Sequence, residues 1–329
     1  MAERNTLNQR VQIGVETTIG TNIAAGKLLE CFNFVMGIKP KVSTFRGTGR
    51  RWASTAEENQ EWTEVPIDGN LDYQGMVYLV SGPWGGATIT THTGGTLSKD
   101  WVWTPPVSGA ITPKTYTLEQ GDSVRAQKIN YGLIHSFGYQ GTRADFKCNG
   151  AMFGQLFQDS ITMTASPTAI ALSPVVGKHV NIYVDPTSAA LGTTQYTRAF
   201  SIEYKYDNGF GAFWSLNRTS TSFTGHADLP PTNTVKLILE ADSQGMGFLT
   251  SLQAGSFLYL RVDAVGPIIE GAIPYAMQHD MAIKLTNVDP FSDNEGVYAI
   301  GYEGMIMEDT AWASGQSQKM TITNQLTAL

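Results

Sequence analysis

Between Thr63 and Leu71 the chain alternates: Val65, Ile67 and Leu71 fall on one side, Glu64, Asp68 and Asn70 on the other. Successive side chains of a strand point to opposite faces, so this stretch predicts a half-buried strand with one wet face. The period then changes. Asp72 is a good N-cap, and Met76, Leu79 and Val80 follow at helical spacing, which predicts a short helix near 73–82. The same order returns later. Val235, Leu237 and Leu239 alternate with Lys236, Ile238 and Glu240. Asp242 then caps a second helix over 243–254 carrying Met246, Leu249 and Leu252, which Gly255 can close in the left-handed conformation. The two copies match in sequence as well, Asp72-Tyr73-Gln74-Gly75-Met76 against Asp242-Ser243-Gln244-Gly245-Met246. A short match in a Gly-rich chain can arise by chance. Here strand, acidic cap, helix and Gly recur in one order at similar depth in each half, which predicts an ancestral domain duplicated and fused. Both helices are too short to stand alone and must pack their Met/Leu stripes on a sheet.

The remaining pattern is mainly β. Residues 1–30 are polar with Val11, Ile13 and Val15 alternating, and read as an arm leading into a strand. Phe32–Val42 reads as one strand or two, and Ser43–Gln60 as a long solvated or interface loop carrying Arg46, Arg50 and Arg51. Residues 82–113 read as an excursion with a hairpin and three exposed tryptophans, Trp84, Trp101 and Trp103. Further strands are expected at Lys114–Leu118, Phe200–Asp207, Phe257–Val262 and in the tail from Lys319. Hairpins are expected over Tyr131–Phe153 and over Met281–Ile306. The domain boundary falls near 165, giving domains 1–165 and 166–329.

Composition narrows the function. The chain has 329 residues, enough for about two domains, with 42% hydrophobic and only 16% charged residues. The acidity is lopsided. Residues 1–165 hold 14 Lys+Arg and 14 Asp+Glu, and residues 166–329 hold 8 and 15. Gripping nucleic acid needs clustered cations that displace counterions, so this balance argues against it and suits a surface that repels a polyanion. Cys31 and Cys148 have no metal spacing and read as buried small hydrophobes, with a disulfide between them left open. The N-terminus lacks an apolar signal core, and no stretch reaches the length of a membrane span.

No catalytic, cofactor or metal residue is nominated. The histidines, His92, His135, His179, His226 and His279, are scattered, and no nucleophile elbow, Walker loop or dinucleotide fingerprint is present. The Asp289–Glu295 run has oxygen ligands, but its order is not an EF-hand and its residues are ordinary turn formers. Asn217-Arg218-Thr219 is a sequon by pattern only.

Several segments taken in order resemble the tail tube proteins of long-tailed bacteriophages. They are Leu7–Thr21, Pro40–Gly47, Tyr73–Gly82, Gly211–Leu216, Leu239–Asp242, Phe291–Tyr298 and Thr323–Leu329. The resemblance spans nearly the whole chain and departs at 82–113. It implies two tandem copies of the tail-tube β-sandwich, each with a short flanking α-helix. It further implies a structural, non-enzymatic virion protein that assembles with itself. Three duplicated chains would make a trimeric, pseudo-hexameric ring, and stacked rings a hollow tube for DNA delivery. Tape-measure, tail terminator and distal tail proteins are the partners it implies, with DNA passing through without specific binding and with no membrane contact. On this reading Glu64, Asp68, Asn70 and Glu240 face the bore. Asp72 and Asp242 would sit at its rim unless capping holds them, and Lys236 and Ile238 break the acidic pattern of the second copy. Two other readings stand beside it. One is a carbohydrate-binding or hydrolytic β-sandwich that uses Trp84, Trp101 and Trp103. The other is the tube of a tailocin or a secretion apparatus.

Overall fold

The computed structural model describes residues 8–216, 220–313 and 315–329; the first seven residues of the expected arm and the Asn217-Arg218-Thr219 sequon lie outside them. The first strands are β1 (Arg10–Val15), β2 (Lys27–Leu29), β3 (Phe32–Phe34), β4 (Gly37–Phe45) and β5 (Thr55–Asn70), followed by α1 (Met76–Trp84). Next come β6 (Thr88–Thr91), β7 (Lys99–Trp103), β8 (Thr115–Gly121), β9 (Ala126–Thr142), β10 (Phe146–Ile161) and β11 (Thr168–Ala169). Then follow β12 (Val180–Asp185), β13 (Gln195–Tyr196), β14 (Ala199–Asp207), β15 (Gly211–Phe213), β16 (Gly225–Ala227), β17 (Thr232–Glu240) and α2 (Ser243–Ala254). The chain ends with β18 (Leu258–Glu270), β19 (Ile273–Val288), β20 (Ser292–Asn294), β21 (Val297–Ile306) and β22 (Gln318–Asn324). The fold is mainly β, and all strands but β15 and β16 join one 20-stranded sheet.

One pairing order occurs twice. β5 pairs with β10, β10 with β9, β9 with β8, β8 with β1 and β1 with β2. Later in the chain β17 pairs with β21, β21 with β19, β19 with β18, β18 with β12 and β12 with β13. β3 and β4 lie on β5 as β14 lies on β17. The two stretches are stitched together by β14 on β9, β22 on β7 and β11 on β2.

The strands before the helices bury the faces their alternation predicts. Val65, Ile67, Val235, Leu237 and Leu239 are all buried in one continuous core. The helices start alike. The Met76 N–H donates to the Asp72 carbonyl at 3.1 Å, and the Met246 N–H donates to the Asp242 carbonyl at 2.9 Å. Asp72 Oδ1 accepts from the Gly75 N–H at 2.7 Å, and Asp242 Oδ1 accepts from the Gly245 N–H at 2.7 Å. Gly255, at φ 60°, closes α2 in the left-handed conformation, where a Cβ would be strained.

The two helices differ in cover. Every residue of α1 is buried. β9 lies beneath it, so close at Gly82 that a Cβ there would sit 2.7 Å from Ile134 Cβ. On its other side Trp103 donates from Nε1 to Ser81 Oγ, and the Tyr116 hydroxyl donates to the Tyr78 carbonyl at 2.7 Å. In α2 only Gly245 is fully buried, and Met246, Leu249 and Leu252 are half-buried.

The caps differ accordingly. Asp72 is buried, accepts also from the Gln74 N–H at 2.9 Å, and takes a further bond from the Ser173 N–H. Burial pushes its carboxyl above the usual range against the opposing pull of these N–H donors. Asp72→Ala would leave several buried donors unpaired, and we expect a loss of roughly 3 kcal/mol. Asp242→Ala, at a half-exposed cap, should cost about 1 kcal/mol. Urea midpoints of the two variants check this ordering; equal losses would mean that the buried donors find other partners.

Three expectations are corrected. Residues 43–60 are a loop only over 46–54, which carries Arg46, Arg50 and Arg51; 43–45 and 55–60 are strand, the far part of the β4–β5 hairpin, paired out to Phe45 opposite Thr55. Asp72 sits inside the fold rather than at a rim, because three backbone donors hold it there. Trp84, Trp101 and Trp103 are 5%, 1% and 1% exposed, so they offer no aromatic platform to a sugar. Trp101 and Trp103 alternate on β7 and so share one of its faces, where they stack at 6.0 Å; Trp103 reaches Ser81 of α1, and the Trp101 Nε1–H donates to the Leu326 carbonyl just past β22.

Candidate functional site

The strands β4, β5, β10, β9, β14, β17, β21 and β19 pair in that order as one antiparallel series. One side of the series faces the core. The opposite side carries a polar row that crosses it from strand to strand. Asn70 lies opposite Lys147, Lys147 opposite Gln140, Gln140 opposite Glu203, Glu203 opposite Lys236, Lys236 opposite Glu303 and Glu303 opposite Asn287. Opposite charges facing across strands favour the register. The next row begins with Asp68 opposite Asn149 and Asn149 opposite Gly138.

The sequence-nominated residues all lie on this side. Asp68 and Asn70 are exposed. Glu64 is exposed and accepts from Lys39 Nζ at 3.3 Å and from Trp62 Nε1 at 3.2 Å. Glu240 is not a free carboxylate, since Arg198 Nη1 holds both its oxygens at 2.8 and 2.7 Å. The structure does not gather the four into one cluster, because β10, β9 and β14 separate β5 from β17. Sequence reasoning placed Lys236 on this face, as a break in its acidic pattern, but missed Glu203, Lys205 and Glu303. The alternation of β14, with Ile202, Tyr204 and Tyr206 buried, carried that signal. Several cations of this face are engaged by carboxylates: Lys205 by Glu203, Lys236 by Asp289 at 2.6 Å and Lys147 by Asp145 at 3.2 Å.

The second feature is the junction between β9 and β14. Tyr139 stacks on Tyr204 at 5.2 Å, and Phe137 meets Tyr206 at 5.6 Å. Trp84 packs against Phe137, Tyr206 and His279. His279 is fully buried, with Nδ1 at 3.0 Å from the Tyr139 hydroxyl and Nε2 at 3.3 Å from Gln318 Oε1. Nε2–H therefore donates to the amide oxygen and Nδ1 accepts from the phenol, the arrangement of a neutral ring. Burial lowers its pKa to about 4. The sign follows. An unfolded chain protonates this ring near pH 6.5 and the folded chain only near pH 4, so stability is complete above 6.5 and falls as the pH drops between those values. The full loss is roughly 3 kcal/mol. His279→Gln should flatten this part of the thermal-stability profile between pH 7 and 4.5, and an unchanged slope would place the titration elsewhere.

The third feature is a pair of bare edges. Counted back from the two caps, Ile67 matches Leu237 and Glu64 matches Thr234. Phe34 and Gly37 lie opposite the first pair member in each case, as Ile202 and Lys205 lie opposite the second. Tyr206 therefore corresponds to Ile38. Tyr206 is 3% exposed because β9 lies beside it; Ile38 is 44% exposed, and no strand among the described residues pairs with the outer side of β3 and β4. The complementary edge is bare as well. β14 covers Ser136–Thr142 of β9. The corresponding run, the end of β19 with β20, has no strand on its outer side among the described residues, and Thr286, Asn287, Phe291, Ser292 and Asp293 are exposed.

No family model matches the chain, and no curated protein matches it. Among solved structures, the SPP1 tail tube, determined by solid-state NMR and cryo-electron microscopy, aligns with 12% identity and a TM-score of 0.31. The alignment covers 46% of this chain and 80% of that one. No described helix is long and apolar enough to cross a membrane, which says nothing about crossing by strands.

Proposed function

We propose that this chain is a duplicated structural subunit that joins copies of itself edge to edge into a ring, and that stacked rings form the tube of a long-tailed phage tail. The observation that carries the reading is the junction the chain makes once with itself. β14 lies on β9, and the two halves of an equivalent junction, β3–β4 and β19–β20, are left bare at opposite ends of the strand series. A contact between different patches on each copy is heterologous and closes into a ring when the rotation permits. Closure also removes exposed strand edges, which otherwise template aggregation. If each chain supplies two equivalent units, three chains give six around the axis. The polar side with Glu64, Asp68, Asn70 and Glu240 would line the bore where residues 210–216 and 220–223 leave it uncovered, since the other side is filled by core and helices. Tape-measure, terminator and distal tail proteins are the partners expected from the sequence resemblance, and the virion tail is the expected location. No catalytic role is assigned. A tailocin or secretion tube would use the same edges. The sugar-binding reading loses its support with the burial of the tryptophans.

Negative-stain microscopy and native mass spectrometry of the purified protein test the reading. Rings of three chains, or stacks of them with a uniform bore, are expected. A ring of six chains would overturn the stoichiometry, and a strictly monomeric protein within assembled particles would overturn the whole reading.

A further inference from the structure

We propose that the tip of the β4–β5 hairpin of one copy seats in a groove on the copy whose β19–β20 edge its own β4 joins; this rests on the ring reading above and adds an arm-and-socket contact to it. The hairpin has more length than the sheet uses. Among the described residues its last backbone link to the body of the chain is the Glu61 N–H donating to the Thr221 carbonyl, and beyond that it runs on to Phe45 opposite Thr55. Out there Val42, Phe45 and Trp52 are 52%, 54% and 76% exposed. A two-stranded ribbon with bare apolar side chains is marginal on its own and is stabilised by being covered.

The chain holds a template for that cover. After β14 it runs through residues that fold back over the polar side of the preceding half. Phe210 and Phe223 pack there on Tyr131, Leu133 and Phe153, and Trp214 meets Trp62 at 5.6 Å. The β4–β5 hairpin leaves its own edge at the matching point. The place it would cover lies on the polar side of β21, where Met305 is 45% exposed and Met307, just past the strand, is 40% exposed.

Beside Met305 is an open groove of ≈ 500 Å³ whose lining includes Pro105, Val107, Leu229, Asp228 and Glu308. It offers apolar walls and two carboxylates. The tip offers the complement: Trp52 with the Arg51 guanidinium 5.7 Å from its ring centre, flanked by Arg46 and Arg50, with no acidic residue from 45 to 56. An indole entering apolar walls while its stacked guanidinium meets a carboxylate satisfies both surfaces.

The test uses full-length protein under assembling conditions. Trp52→Cys with Leu229→Cys should give chain-to-chain disulfides on mild oxidation, seen as a ladder on non-reducing gels, while neither single variant does. Arg51→Glu should lower the assembled fraction at least about tenfold, and adding Glu308→Arg should restore most of it. All these positions are exposed, so unchanged melting temperatures should accompany the variants. A disulfide formed within one chain, or rings that form normally with Arg51→Glu and without the ladder, would overturn the arm contact and leave the ring standing. Failure of the wild-type protein to assemble would overturn both.

Discussion

Ile38→Pro should leave the chain folded and stop it from forming rings. The Val35 N–H donates to the Pro66 carbonyl, so by alternation the N–H groups of Met36 and Ile38 point away from β5. Proline at position 38 thus removes a donor the isolated chain does not use, and its ring obstructs an approaching strand. If the steric and hydrogen-bond losses amount to about 3 kcal/mol per junction, each association step weakens more than about a hundredfold. A closed ring repeats that loss at every junction. The melting temperature of the monomer should move by no more than about 2 °C, because no bond to β5 is lost. Ile38→Lys should act in the same direction by placing a charge on the edge, and Ile38→Val should assemble normally. Sedimentation velocity separates these outcomes. Rings of wild-type size from both the Pro and Lys variants would show that this edge is not a junction.

What could be read from the sequence follows from how local each signal is. The alternation in 63–71 and 234–241 and the two aspartates are set by neighbours within a few residues, and the structure has the strands, the buried faces and the start of α2 where the pattern puts them; α1 begins at Met76, three residues later than expected, after a turn that Asp72 holds through the Gly75 N–H. The polar side of β5 was visible for the same reason. The strand ends that flank the 46–54 loop were not, because neither of their faces is buried and no apolar alternation marks them. The tryptophans misled because a Gly- and Pro-rich stretch reads as surface. The burial of Trp101 and Trp103 depends on β22, more than two hundred residues along, pairing with β7, and that of Trp84 on Phe137, Tyr206 and His279. The polar row from Asn70 to Asn287 depends on registers between strands far apart in the chain, which no local pattern fixes. The bare edges were invisible for a further reason. Ile38 and Tyr206 are both apolar strand residues, and only the presence or absence of a neighbouring strand separates them.

The polar side should turn from repelling DNA to retaining it when two of its exposed carboxylates, Glu64 and Asp68, are reversed. Glu64→Lys with Asp68→Lys changes the charge by four units per chain, and Asp68 is exposed without a cation bridging it among the described residues. The existing lysines of this side do not attract a polyanion strongly, because Glu203 and Asp289 already hold Lys205 and Lys236. New lysines at 64 and 68 would have no such partners. In place of the Lys39–Glu64 pair, position 64 would set two cations side by side. Each phosphate that a new lysine neutralises steepens the fall of log K with log salt by about 0.9 for duplex DNA. Two such phosphates per chain, repeated around a ring, should raise retention of linear DNA by at least about a hundredfold at 50 mM salt, and 200 mM salt should largely erase the increase. Glu64 lies opposite Gly37 of β4 and Asp68 opposite Asn33 of β3, on the side of those strands turned to β5, so the outer side of β3–β4 and the β19–β20 edge are unchanged and assembly should persist. Glu57→Lys with Glu58→Lys makes the same charge change on the hairpin arm and serves as the control. If this control retains DNA as strongly as the Glu64/Asp68 variant, the effect is one of net charge, and the polar side does not face the DNA path. If wild-type tubes already hold DNA through many salt-sensitive contacts, the side is a binding surface, and the pairing of its lysines with carboxylates has another purpose.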